Sequence, residues 1–74
     1  MSNLRVAVVG LGYFSQFHLT SWAGMPGADL IGVTDLDRGL TRATADRLRV
    51  ADYPALQTLL DADPDIVDLV VPPL

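Results

Sequence analysis

The chain has no cysteine, no lysine and no glutamate, and only one histidine. Each absence removes a class of chemistry. Without cysteine there is neither a disulfide framework nor a thiolate metal site, and His18 alone cannot assemble a zinc centre. The charge is carried by nine aspartates against five arginines, for a net charge of −4. That balance repels nucleic acid and anionic membrane surfaces. It leaves room for a nucleotide held locally by backbone amides. No apolar run approaches the length of a membrane span, and Met1-Ser2-Asn3-Leu4-Arg5 has no cationic segment leading into an apolar stretch. The expected setting is therefore cytoplasmic, without nucleic-acid or membrane partners.

What is present is a core-forming composition, with half of the 74 residues hydrophobic. A chain this short makes one small domain and buries roughly 60% of the surface its unfolded form exposes. Leu4 to Val9 is a continuous, largely β-branched run, as expected of a parallel strand covered on both faces. Gly10-Leu11-Gly12-Tyr13-Phe14-Ser15 then turns the chain into a helix that ends near Gly24-Met25-Pro26-Gly27. Phe14, His18 and Trp22 stand at i, i+4 and i+8, with Leu19 and Ala23 beside them, and this row is the expected buried face.

Asp29 to Asp35 reads as a second strand with an acidic end, and Arg38 to Leu48 as a second helix with Leu40, Ala43 and Leu48 as its apolar stripe. Val50 to Tyr53 is long enough only for a short strand or extended link. Pro54 suits the first turn of a third helix, with Leu56, Leu59 and Leu60 on its buried side. Ile66 to Val71 is the last strand, closed by Pro72-Pro73. The order β-α-β-α-(short β)-α-β implies an α/β fold with a Rossmann-like parallel sheet and right-handed crossovers. The expected strand order is 3-2-1-4, with the sheet incomplete at its C-terminal side. In such a sheet the switch point lies between strands one and four, at their carboxyl ends.

The glycine loop opens there. Gly10 permits a sharp turn off the strand, and Gly12 has no side chain to keep a pyrophosphate from the backbone. The third position of the motif is Ser15, which lacks the close packing of glycine but has a hydroxyl able to cap the helix. Asp35 lies twenty residues beyond Ser15 at a strand end, where a carboxylate can accept hydrogen bonds from an adenosine ribose. Taken singly, the glycines describe an ordinary turn, and Asp35 a solvated loop carboxylate or a cap for the next helix. Together they describe a dinucleotide site.

A carboxylate at Asp35 facing a 2′-phosphate about 4 Å away would repel it by up to ~4 kcal/mol at an effective dielectric of about 20. NAD is thus expected over NADP. Arg38 could offset that repulsion or stack on adenine, or stand simply as a surface arginine. Tyr13 and Phe14 could cover the pyrophosphate, although Phe14 also suits the core. His18, one turn into the helix, is expected to be structural.

The set Val6 to Gly12, His18, Pro26-Gly27-Ala28-Asp29-Leu30, Asp35, and Asp63-Pro64-Asp65-Ile66-Val67 through Pro72-Pro73 resembles the N-terminal domain of the Gfo/Idh/MocA oxidoreductases. These are NAD(P)-dependent sugar and cyclitol dehydrogenases and their relatives. The resemblance implies that Gly10, Gly12, Ser15 and Asp35 bind cofactor and that Val71, Pro72 and Pro73 lie against it. It also implies that residues 1–74 are the N-terminal part of the dinucleotide domain. The family's Glu-Lys-Pro motif and its substrate domain are absent, so this stretch is expected to bind without catalysing and to meet a small-molecule substrate only within a longer protein.

Two other readings remain open. One is a non-catalytic dinucleotide sensor or regulatory protein. The other is an S-adenosylmethionine-binding Rossmann domain, whose usual glycine spacing would want a glycine where Phe14 stands. An unpaired, apolar last strand also implies self-association or poor stability.

Overall fold

A computed structural model describes residues 3–70. Its centre is β1 (Leu4–Val9), in which Val6, Ala7 and Val8 are all completely buried. Consecutive strand residues point to opposite faces, so three buried in succession require cover on both. The remaining elements, in chain order, are α1 (Ser15–Gly24), β2 (Ala28–Thr34), α2 (Arg38–Leu48), β3 (Ala51–Asp52), α3 (Leu56–Asp61) and β4 (Ile66–Leu69). The sheet order is β3-β2-β1-β4, and β1 pairs in parallel with both β2 and β4. The α/β architecture and strand order inferred from alternation are those observed.

On one face Val8 packs with Val33 of β2, Leu19 of α1 and Ala45 of α2, and Leu11 of the loop closes the cluster. Fully burying a side chain of this size stabilises the fold by about 1.5–3 kcal/mol. Leu59 of α3 is completely buried and stands outside that cluster. This agrees with a return crossover placing α3 on the opposite face. The register of β1 against β2 shifts between Val6 and Ala7, whose partners are Leu30 and Gly32, so that Ile31 is left over as a bulge. A Cβ on Gly32 would collide with the Tyr53 ring, which lies close against this part of β2.

Helix faces differ from the expected ones. In α1 the buried residues are Ser15 and Leu19, with Trp22 half-buried; the line is displaced by one from Phe14 and His18, which are exposed, as is Ala23. Phe14 is 68% exposed and is not core. The displacement begins at the start of α1, where the small Ser15 is almost fully buried with its hydroxyl bonded to the Gly12 carbonyl. In α2 the buried residues are Thr41, Thr44 and Ala45, whereas Leu40 and Ala43 are exposed. The Thr41 hydroxyl donates to the Asp37 and Asp35 carbonyls, which removes the usual penalty of burying it.

In α3 only Leu59 is buried, while Leu56 and Leu60 are exposed. Pro54 lies in a bend before the helix rather than in its first turn. The last strand ends at Leu69, with Val70 just past it and not within it as expected, while Val71 and the closing Pro72 and Pro73 lie outside the described residues.

Candidate functional site

The carboxyl ends of the strands open into a cavity of about 760 Å³. This is within the usual range of small-molecule sites. Gly10 and Gly12 from the loop and Asp35 from the end of β2 line it, as do Tyr13, Phe14 and Arg38. Ser15 does not. The chain thus brings most of the candidate residues to one place through the ends of adjacent parallel strands.

Gly10 turns the chain at φ +97°, a conformation that side chains rarely adopt, and a Cβ there would strike the Val70 carbonyl. Its amide donates to the Thr34 carbonyl at 3.0 Å, tying the loop to β2. Gly12 is the opposite case: a Cβ would meet nothing within 4 Å. The loop amides of Gly12, Tyr13 and Phe14 have no acceptor among the described residues. Three successive open donors at the start of α1, over a glycine with clear space, fit an anionic group such as a pyrophosphate. Ser15 plays another part than the expected cap. Its Oγ donates back to the Gly12 carbonyl at 2.6 Å, and the cap position itself is Phe14, with no side-chain cap bond.

Asp35 is half-buried and doubly bound. Its Oδ2 accepts from the Leu11 amide at 2.7 Å, and its Oδ1 from the Asp37 amide at 2.8 Å. The carboxylate therefore fixes the glycine loop to the end of β2. Each oxygen still has acceptor capacity for a ribose hydroxyl. The cap of α2 is Asp37, whose Oδ1 accepts from the Leu40 amide at 3.0 Å. Arg38 donates from Nη1 to the Tyr53 carbonyl at 2.9 Å and from Nη2 to Asp52 at 2.6 Å.

Sequence reasoning did not single out Leu36, Pro54, Ala55 and Leu56, which also line the cavity. Leu36 is fully exposed directly after Asp35. The signal that could have found them is topological, because everything just beyond the carboxyl end of a strand in such a sheet faces the crevice, including the link after β3. The Val71, Pro72 and Pro73 positions expected at the cofactor lie outside the described residues.

A second hollow of about 520 Å³ lies between α1 and β4, lined by Phe17, His18, Trp22, Met25 and Asp68 among others. Here Asp68 meets His18 Nδ1 at 2.7 Å and accepts from the Trp22 indole at 2.9 Å. Burial, the largest influence on the Asp68 carboxyl, pushes its pKa up. The Trp22 and His18 hydrogen bonds and the His18 charge together outweigh it, so the net shift is downward. His18 thus joins helix to strand. No group of three or more metal-binding side chains occurs among the described residues.

Comparison with known proteins places this geometry in a family. The profile of the Gfo/Idh/MocA oxidoreductases, described as an oxidoreductase family with an NAD-binding Rossmann fold, matches residues 4–74. No curated protein matches the chain. Among solved structures, UDP-N-acetylglucosamine 3-dehydrogenase GnnA from Acidithiobacillus ferrooxidans is 32% identical with a TM-score of 0.84. The match covers 97% of this chain and 23% of that one. GenD2 from gentamicin A biosynthesis, solved with NAD, is 30% identical with the same TM-score, over 97% of this chain and 21% of its own. Myo-inositol 2-dehydrogenase from Lactobacillus plantarum, 24% identical with a TM-score of 0.84 over 96% of this chain and 22% of its own, shares the fold. The chain therefore spans less than a quarter of the length of these structures. With the glycine loop, the acidic end of β2 and the strand order all in agreement, the chain belongs to the Gfo/Idh/MocA oxidoreductase family and carries its NAD-binding Rossmann fold.

Proposed function

We propose that these 74 residues form the dinucleotide-holding part of an oxidoreductase acting on a CH–OH group of a sugar-like or cyclitol substrate, with NAD preferred over NADP. The observation that carries this reading is the meeting, in one cavity, of the open Gly12–Phe14 loop and the Asp35 carboxylate. The loop amides would hold the pyrophosphate, and Gly12 would let it approach the backbone. Asp35 would accept from the adenosine ribose hydroxyls, while Tyr13, Phe14 and Leu36 would shield the cofactor from water at the mouth. When bound, the nicotinamide supplies a hydride acceptor or donor. The sugar assignment draws on the relatives, which include a UDP-N-acetylglucosamine 3-dehydrogenase.

The chain has no lysine, so the lysine of the family's Glu-Lys-Pro motif is not among these residues. Residues 1–74 then place a cofactor without acting on a substrate. Calorimetric titration of the chain with NAD, NADP and S-adenosylmethionine tests the reading. NAD is expected to bind about tenfold or more tightly than NADP, because like charges oppose each other at Asp35. S-adenosylmethionine is expected not to bind. Tighter binding of either competitor, or no binding of NAD, overturns the proposal.

A further inference from the structure

We propose that Asp52, which does not line the cleft, strengthens the cofactor preference by holding Arg38 away from an adenosine 2′-phosphate. The inference rests on the dinucleotide reading above and adds to it a selectivity device one strand removed from the nucleotide.

Arg38 is the only cationic side chain lining the cavity among the described residues, and Asp35 lines the same cavity from three positions upstream. Left free, a guanidinium there would be the natural counter-charge for a phosphate on the ribose. It is not free. Nη2 is paired with Asp52 at 2.6 Å and Nη1 with the Tyr53 carbonyl at 2.9 Å, so both ends of the fork are committed to β3 and the residue after it. Those anchors are themselves fixed. Asp52 pairs in register with Val33, the Tyr53 amide donates to the Val33 carbonyl at 3.0 Å, and the Thr34 hydroxyl donates to the Tyr53 carbonyl at 2.9 Å. The Tyr53 ring lies against Gly32, where a Cβ would collide with it.

The sheet thus sets the pose of Arg38. A 2′-phosphate arriving at Asp35 would meet a fixed carboxylate, with its compensating cation already neutralised by a second one. A ribose diol needs only acceptors and finds them. The side chains of the Arg38–Asp52 pair are 46% and 26% exposed, so the pair is weak enough to be redirected. Removing the Asp52 charge releases Arg38, a long side chain rooted at the rim, to swing toward the phosphate.

The test is a two-by-two set on the full chain, with the unsubstituted protein, Asp52→Asn, Arg38→Ala and the double variant each titrated with NAD and NADP. Asp52→Asn is expected to tighten NADP binding about three- to fivefold, the upper part of the range for a partly exposed ion pair, while NAD changes less than about twofold. The gain should vanish when Arg38 is alanine, which separates release of the arginine from the simple loss of a negative charge. An unchanged NADP affinity in Asp52→Asn, or the same gain in the double variant, overturns the inference while NAD binding to the unsubstituted chain leaves the dinucleotide reading standing. Failure of NAD to bind the unsubstituted chain defeats both. Retained NAD binding reports that the variant is folded, and Asp52→Ser replaces Asp52→Asn if the latter loses it.

Discussion

At the carboxyl ends of the strands, three successive amides lie without acceptors among the described residues while Tyr13, Phe14 and Leu36 are exposed around them. On the flank between α1 and β4, by contrast, one carboxylate, Asp68, satisfies both the Trp22 indole and the His18 ring. Solvent-facing amides without a protein partner cost little, because water satisfies them, and they stay available to a ligand, as do the exposed apolar side chains beside them. Polar groups closed on one another across a helix and a strand are structural connections. The contrast sets the single histidine, the most tempting catalytic group in the sequence, in a helix-to-strand connection, and leaves the glycine loop as the part with open donors.

The comparison is broken most severely at Gly10, where it begins. Gly10→Ala forces a side chain into a left-handed conformation and against the Val70 carbonyl, next to both β1 and β4. The expected loss is about 2–5 kcal/mol of stability, combining backbone strain and overpacking. For a domain of this size that is enough to unfold much of the population. Urea denaturation followed by circular dichroism reads it, and a loss below about 1 kcal/mol would contradict the role assigned to this turn. Gly12→Val sharpens the comparison instead. A side chain there enters open space, so stability should stay within about 0.5 kcal/mol of the parent, as for a surface substitution. NAD affinity should fall tenfold or more, since the valine occupies the approach to the loop amides. Equal effects of the two substitutions on stability would show that the loop is a structural turn and nothing more.

The strand and topology reading succeeded because β1 is covered on both faces, and a continuous apolar run such as Val6-Ala7-Val8 then needs no periodicity to be recognised. The helix faces were misjudged because each helix of so small a domain buries little, and buries small or polar residues where the fit is tight. Thr41 and Thr44 are buried in α2 while Leu40 is left at the surface, and the Thr41 hydroxyl is satisfied by two carbonyls. That Gly10, Gly12 and Asp35 line one cavity was legible from spacing, Gly10 through a backbone constraint that sequence records directly, Gly12 and Asp35 through their places just beyond two strand ends. The Asp35 bond to the Leu11 amide and the capture of Arg38 by Asp52 were not. Both depend on which strand ends lie side by side, and no local pattern carries that.

The last of the three effects tests the closed side of the comparison. Asp68→Ala leaves the half-buried Trp22 indole without its acceptor, and the expected cost is about 1–2 kcal/mol at neutral pH with NAD affinity preserved. The same carboxyl gives the loss a pH signature. Burial raises its pKa, but the Trp22 and His18 bonds and the His18 charge more than reverse that, so the folded-state value lies below the ordinary one. A carboxyl depressed by folding contributes its full stabilisation above the unfolded value of about 4, and loses it as the pH falls through the lower folded value. The unsubstituted chain should therefore lose stability on acidification below about pH 4, and Asp68→Ala should lose less over the same interval. Urea midpoints at neutral pH and along the acid limb give both curves. If the limbs run parallel, Asp68 contributes no charge-dependent stability, and the flank differs from the cleft only in geometry.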